Sequence, residues 1–473
     1  MIKSIVSVFF LFLTIYTSQG WAQSRQQFKT DSVFKLVKQY VNHKQADSLY
    51  TLTGKKFRDE LSINDFRSVC ELQIFPLDAI KQTSLMSFVN NKLATYKIEF
   101  PAVTLELLLT LDEQDKIELF VFQPYKIPRA DKASVLSSNK MISDIDKKVD
   151  SAARPYILKA NTVGLSIGIL RYDVIKSYNY GETVRGNHKL PNENSIYEIG
   201  SITKTFTATL LAWYANAGKL KLNDPITKYL PDSVRANGAL RNITLVMLSN
   251  HTSGLPRLPD NMQTRAVDPQ NPYKYYSKEQ LYGYLKSCKI SSTPGEKYAY
   301  SNLGAGLLGT ILEQVSGKSF EDMVKDIICS PLEMYSTGQH IESLFNSHLV
   351  TEYNDDGEQT PMWEFDALAA AGCLRSSVVD LLSFARVNMY PGITPLAKAV
   401  AVTQKITFSK DVTIALGWHI IKVNNTDYYF HNGGTYGSSS FLAWNTAKNL
   451  AVVVLSNCGE SVDEVGLAIL KKL

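Results

Sequence analysis

Cysteine is scarce in this chain. Only five occur among 473 residues, at Cys70, Cys288, Cys329, Cys373 and Cys458, each alone. With no C-x-x-C pair and no histidine cluster beside any of them, neither a metal site nor a disulfide framework is expected, and an odd count leaves at least one thiol unpaired within a monomer. Dense Lys/Arg runs are also missing, and the net charge of +5 is small for this length. That excludes the electrostatic footprint of a nucleic-acid or anionic-membrane binder. No apolar run approaches the roughly 20 residues that span a bilayer as a helix. Internal repeats and low-complexity tracts are absent as well.

The composition that remains is that of a folded globular protein, with 45% hydrophobic and 20% charged residues. The length predicts two domains. At the N-terminus, "MIKSIVSVFFLFLTIYTSQGWAQS" sets Lys3 before an apolar run from Ile5 to Tyr16, then small residues around Gly20 and Ala22. This is the pattern of an export signal cleaved near Ala22, with no cysteine there to carry a lipid, so the mature chain is expected in the periplasm or secreted, without a membrane span.

Residues 23–128 read as a small α+β domain. "DSVFKLVKQYVNHKQADSLYTLTGKKFRDEL" has helical apolar spacing, and "YKIEFPAVTLELLLTLDEQDKIELFVFQPY" gives β-rich runs around a D-E-Q-D turn. No motif in it carries chemistry. It is similar to the small α+β domains that accompany exported hydrolases, and a role in binding a partner or wall polymer is the expectation. Residues 129–138 are polar, with a Ser pair, and read as a linker.

The second domain, 139–473, opens with a helix and the strand "VGLSIGIL", passes through a mostly helical middle to about Met389, and closes with short strands and an amphipathic helix. Strands at both ends are expected to share one sheet with the helical region inserted between them.

Chemistry-bearing residues lie at three distant places. "YEIGSITKTFTATLLAWYANAGKL" sets Ser201 and Lys204 three apart at the start of an apolar helix, on one face within a turn. A serine hydroxyl becomes a nucleophile when a base takes its proton, and a buried amine with a lowered pKa is such a base. The same spacing occurs at Ser32–Lys35 and Ser137–Lys140, but only Ser201 follows a glycine and leads a long apolar helix. "GEKYAYSNLGAG" places Tyr300 and Asn302 two apart before a second apolar helix, and "FHNGGTYG" places His431, Gly433 and Gly434 at a strand edge. Glycines there permit close approach of a ligand to backbone.

In order, spacing and flanking context these stretches resemble the penicillin-recognising serine hydrolases, the DD-peptidases, class C β-lactamases and related esterases, over nearly all of residues 139–473. The resemblance rests on Ser201-Ile-Thr-Lys204, Tyr300-Ser-Asn302 and His431-Asn-Gly433, with supporting stretches "LSNHTSGLP" and "AAGCLRSSVVDLLSFA". It implies an α+β fold of the β-lactamase/transpeptidase kind, an antiparallel sheet flanked by helices with an inserted all-helical region. It also implies an exported serine hydrolase that needs no cofactor. Ser201 would attack a carbonyl, Lys204 and Tyr300 would move its proton to the leaving group, Asn302 would help hold the substrate and the lysine, and His431 and Gly433 would hold the substrate. Backbone N–H groups of Ser201 and Gly434 would form the oxyanion hole. His251 in the "HTSGLP" loop reads as a scaffold hydrogen-bonder.

One departure bears on the substrate. Penicillin-hydrolysing members commonly hold a lysine where this chain has His431, mostly neutral at pH 7 with an ordinary pKa of about 6.5. A substrate carboxylate would be gripped less firmly, so D-alanyl peptides, β-lactams and small esters all stand as candidates. Two rival readings remain: a non-catalytic penicillin-binding sensor on the same fold, and an α/β-hydrolase using Ser166 in the elbow-like "GLSIG".

Overall fold

The computed structural model describes residues 25–125, 131–262, 268 and 270–473. The export signal expected at residues 1–22 lies outside them. Among the described residues no helix is long and apolar enough to cross a membrane. The chain divides into two compact units, Met1–Pro128 and Arg129–Leu473.

In the first unit, helical residues 25–42 and three shorter helices precede an antiparallel sheet in the order β1-β2-β3-β4 (Gln82–Val89, Leu93–Glu99, Thr104–Leu111, Ile117–Pro124). Alternation explains its packing. Ala94, Tyr96 and Ile98 of β2 and Leu107 and Leu109 of β3 point to one face and are buried, the two-residue period of a half-buried sheet. Phe34 stacks on Tyr96 at 3.7 Å, and the Tyr96 hydroxyl donates to Asp31 at 2.6 Å. The D-E-Q-D turn is closed by the Asp112 carboxylate, which accepts from the Gln114 and Lys116 N–H groups.

The second unit is built on an eight-stranded antiparallel sheet. β5 (Gly164–Arg171) and β6 (Val174–Gly181) form a hairpin that pairs, through β5, with β14 (Leu450–Ser456) from the far end of the chain. β13 (Ser439–Asn445), β12 (Thr426–Gly434), β11 (His419–Val423), β10 (Thr413–Ile414) and β9 (Phe408–Ser409) follow in that order. Residues Gly164 to Leu170 of β5 are all buried because both faces of the sheet are covered. Ile167 and Ile169 pack with the terminal helices Asp144–Ile157 and Asp463–Lys472, while the other face joins the larger core of the inserted helical region. Terminal strands thus share one sheet around an inserted helical region.

The linker expected at 129–138 is only partly a free connection. Leu136 accepts from the Gly181 N–H and Ser138 donates to the Asn179 carbonyl, each at 2.9 Å, so the segment lies along the edge of β6. A polar stretch reads as solvated in sequence because the edge it covers lies some forty residues onward. All five cysteines are buried free thiols.

The helix Thr203–Asn216 runs through the larger core, buried without a break from Thr203 to Ala212. Its threonines are satisfied internally: Thr205 and Thr209 donate to the Ile202 and Thr205 carbonyls at 2.8 and 2.9 Å, and Thr207 to Ala370 at 2.8 Å. Phe206 stacks on Phe384 at 4.2 Å, and full burial of such a side chain contributes about 1.5–3 kcal/mol.

A buried acid pair lies behind the start of this helix. Glu198, in β7 (Tyr197–Glu198), is 4% exposed and Glu352 1%. The Ser438 hydroxyl donates to Glu352 at 2.6 Å, and Arg375 stands 3.5 Å from Glu198. Burial first, and then repulsion from Glu198, push the Glu352 carboxyl well above its ordinary range. A carboxyl raised in the folded state contributes stability that is present below its unfolded pKa and is lost as pH rises through the folded value. Glu352→Gln, which keeps the shape and never ionises, should therefore flatten the fall in Tm between pH 5 and pH 8 relative to the parent. Equal slopes in thermal unfolding scans would show that the Glu352 carboxyl is not raised in the folded state.

Candidate active site

Ser201 occupies a tight 3-10 turn, Gly200–Ile202, immediately before the helix proper. The sequence places it in the first helical turn. The structure sets it one turn earlier, because Gly200 at φ +46° bends the entering chain in a conformation that favours glycine. The two side chains meet nonetheless: Lys204 Nζ lies 3.0 Å from Ser201 Oγ. The same nitrogen donates to Asn302 Oδ1 at 2.9 Å and to the Ala371 carbonyl at 2.6 Å.

The charge state follows from these neighbours. Lys204 is 3% exposed, and none of its three hydrogen-bond partners is a carboxylate. Burial, and secondarily the Arg257 guanidinium, hold its pKa well below the ordinary lysine value. A neutral amine has two N–H bonds and one lone pair. Asn302 and Ala371 accept the two N–H bonds, which leaves the lone pair facing the Ser201 hydroxyl.

Tyr300 and Asn302 arrive on a second element. Ser301 caps the helix Asn302–Ser316: its hydroxyl accepts from the Gly304 N–H at 2.8 Å and donates to the Pro256 carbonyl at 2.7 Å. Lys204 Nζ lies 4.8 Å from the Tyr300 ring centre, and Ser201 is among the near neighbours that act on the phenol. Burial pushes the Tyr300 pKa up, so the phenol is protonated at neutral pH. Asn302 is 8% exposed and uses both ends of its amide within the protein, toward Lys204 and the Tyr273 hydroxyl, the latter at 2.9 Å. It holds the lysine in place.

His251, at φ +60°, accepts from the Ser301 N–H through Nδ1 at 3.2 Å. Its ring centre lies 4.3 Å from that of Tyr300, so it braces the tyrosine loop.

The third element is the end of β12. Pairing with β11 stops at Phe430, so residues 431–434 have β13 on one side and a free edge on the other. This free edge presses on the serine turn. Ser440 donates to the Ile199 carbonyl at 2.8 Å. A Cβ on Gly433 would lie 2.0 Å from the Ile199 oxygen and 2.8 Å from the Ser201 nitrogen, and one on Gly200 would lie 2.7 Å from the Gly434 nitrogen. The Ser201 and Gly434 backbone nitrogens are thereby brought together. Because the obstructing atoms are backbone, Gly433→Ala should displace the serine turn and lower kcat/KM on the order of 10²-fold. A crystal structure of the variant with Ser201 unmoved, or full activity, would contradict this.

His431 stands at this strand edge, as expected, with its side chain buried. It is 1% exposed, its Nδ1 donates to the Asn432 carbonyl at 2.6 Å, and its buried Nε2 has no partner among the described residues. The ring faces inward because it packs against His419, with centres 5.3 Å apart, and His419 in turn meets the Tyr298 hydroxyl at 2.8 Å. Burial, then His419 and Lys204, push His431 well below 6.5, and burial with Lys204 brings His419 down to about 4. The row is neutral at pH 7.

Ser166 is not at this site. It lies inside β5, fully buried, with its hydroxyl 2.9 Å from that of Tyr197. A nucleophile elbow requires an exposed serine on a strand-to-helix turn, so the α/β-hydrolase reading is set aside. Sequence reasoning missed the Ala371 carbonyl, Tyr273, His419 and Arg257. A backbone carbonyl leaves no signature of its own in sequence, though Ala371 lies inside the noted stretch "AAGCLRSSVVDLLSFA" and Arg257 stands directly after "SGLP".

Comparison with known proteins identifies the family and the fold. The β-lactamase family model matches residues 145–472. A β-lactamase of Pseudomonas fluorescens is 28% identical over 349 residues, covering 67% of this chain and 94% of that protein. The D-alanyl-D-alanine-carboxypeptidase/endopeptidase AmpH of Escherichia coli (strain K12) is 34% identical over 209 residues, 43% of this chain and 52% of its own length. Among solved structures, a class C β-lactamase superposes with a TM-score of 0.63 at 24% identity, covering 71% of this chain and 98% of that one. A β-lactamase/D-alanine carboxypeptidase from Pseudomonas syringae superposes at 0.62 with 25% identity, covering 70% and 98%. With a three-element site on the matching fold and a family match across most of its length, the chain belongs to the β-lactamase family and is a serine hydrolase.

Proposed function

We propose that this chain is an exported hydrolase that works through an acyl-serine intermediate, opening an amide or ester of the D-alanyl peptide, β-lactam or small-ester kind. The observation that carries the reading is the buried Lys204 amine, whose two N–H bonds are accepted by Asn302 and Ala371 while its third direction meets Ser201 Oγ at 3.0 Å. Ser201 Oγ attacks the carbonyl carbon as its proton passes to Lys204 Nζ. The oxyanion is met by the N–H groups of Ser201 and Gly434, donors worth about 10²- to 10³-fold each in hydrolases. The C–N or C–O bond then breaks. The leaving group takes the Tyr300 phenol proton, which Lys204 resupplies, and the acyl group stays on Ser201. Water, losing a proton to the same pair, cleaves the ester and restores the serine.

Export is supported by the charged, apolar and small-residue pattern of residues 1–22. The test is to screen the purified protein on a D-alanyl-D-alanine peptide, a chromogenic cephalosporin and a short acyl ester, with intact-mass detection of adducts. Turnover with an acyl adduct on the peptide that contains Ser201 is expected. Turnover with the adduct elsewhere would overturn the assignment, and an adduct that never turns over on any of the three would make the protein a sensor.

A further inference from the structure

We infer that Arg257 is a substrate-binding residue that grips a carboxylate on the leaving group, so that this site prefers acyl compounds whose departing part carries a free acid. The inference rests on the acyl-serine reading above and adds the chemistry of the group released.

Three observations lead to it. First, the strand edge carries no usable positive charge. His431 stands where penicillin-hydrolysing relatives commonly hold a lysine, and it is buried, neutral and turned inward against His419. A carboxylate bound there would meet an imidazole rather than a cation. Second, a cation stands on the other wall. The Arg257 side chain is exposed, and its guanidinium lies 5.1 Å from the centre of the Tyr300 ring. Among the described residues it has no carboxylate partner and no side-chain hydrogen bond, so its charge is open to a ligand.

Third, its backbone is held in place. The Arg257 carbonyl accepts from the Asn302 and Leu303 N–H groups at 3.0 and 3.2 Å. The residue is therefore fixed to the same helix start that positions Tyr300 and Asn302, not carried on a free loop. In the proposed reaction Tyr300 protonates the leaving group, so the departing fragment passes beside this ring and within reach of the guanidinium. A guanidinium presents a planar fork that matches a carboxylate with two parallel hydrogen bonds, and it stacks on aromatic faces while doing so. The same positive charge helps keep the Lys204 amine neutral, so a loss common to every substrate is expected when it is removed.

The experiment separates that common loss from recognition by using two substrates that differ in one group. N-acyl-D-alanyl-D-alanine is compared with the same compound ending in a carboxamide, on the parent, Arg257→Gln and Arg257→Lys. The parent is expected to favour the acid, and the acid-to-amide ratio of kcat/KM to fall about 30- to 100-fold in Arg257→Gln, mainly through KM on the acid. Arg257→Lys, which keeps the charge and loses the fork, should retain part of the ratio. Equal loss on both compounds would overturn the assignment and leave Arg257 acting through Lys204 alone. A parent with no preference for the acid would overturn it too. A parent inactive on both compounds and on a short acyl ester would instead remove the hydrolase reading, and this inference with it.

Discussion

Ser201→Ala should abolish acylation, with turnover falling on the order of 10⁶-fold, as when a nucleophile is removed from a working serine hydrolase. The fold should survive. Lys204 keeps its bonds to Asn302 and Ala371 when the serine oxygen is gone, and the helix behind it stays buried throughout. An activated ester or a fluorescent penicillin incubated with the variant should leave no covalent adduct by mass spectrometry. The matched control is Ser166→Ala. It removes a core hydrogen bond to Tyr197, worth about 1 kcal/mol of stability, and should lower Tm slightly while leaving labelling and turnover in place. Labelling lost in Ser166→Ala and kept in Ser201→Ala would invert the assignment.

Lys204→Met has the second large effect, and it shows in two quantities. A positioned general base contributes about 10²- to 10⁴-fold, so turnover should fall by that amount while Ser201 remains present. Stability should change its dependence on pH. Burial, and then Arg257, depress the folded pKa of this lysine, so between that depressed value and 10.5 the unfolded chain binds more protons than the native one, and native stability rises with pH. The parent should therefore gain more in Tm from pH 6 to pH 9 than the methionine variant does. The acid limb of the parent's kcat/KM profile should fall well below the ordinary lysine pKa. Parallel pH–Tm curves for the two proteins would mean that the native lysine is charged, and the base would have to be sought elsewhere.

Different parts of the molecule were legible in sequence to different degrees. Ser201 and Lys204 were readable because three residues along a helix is a local distance set by backbone geometry. The α+β fold with its inserted helical region was readable because "VGLSIGIL" and "LAVVVLS" are both short apolar runs, and these become β5 and β14, paired from Leu165 to Arg171. Burial was less readable. "FHNGG" placed a histidine at a strand edge, yet how deeply a strand residue is buried depends on what packs against it, and that is His419 from the neighbouring strand. The polar run after Pro128 suggested a free linker, yet from Leu136 it hydrogen-bonds to the edge of β6.

What the amino-acid order settles here is the inventory: a serine and a lysine one turn apart, a tyrosine and an asparagine before a second helix, and glycines where a strand approaches backbone. What folding adds is the electrostatic state of that inventory. Long-range packing surrounds Lys204 with a side-chain amide, a backbone carbonyl and no carboxylate, which lowers its pKa, and among the described residues no carboxylate pairs with Arg257. Charge and pKa depend on solvent exclusion and on neighbours distant in the chain.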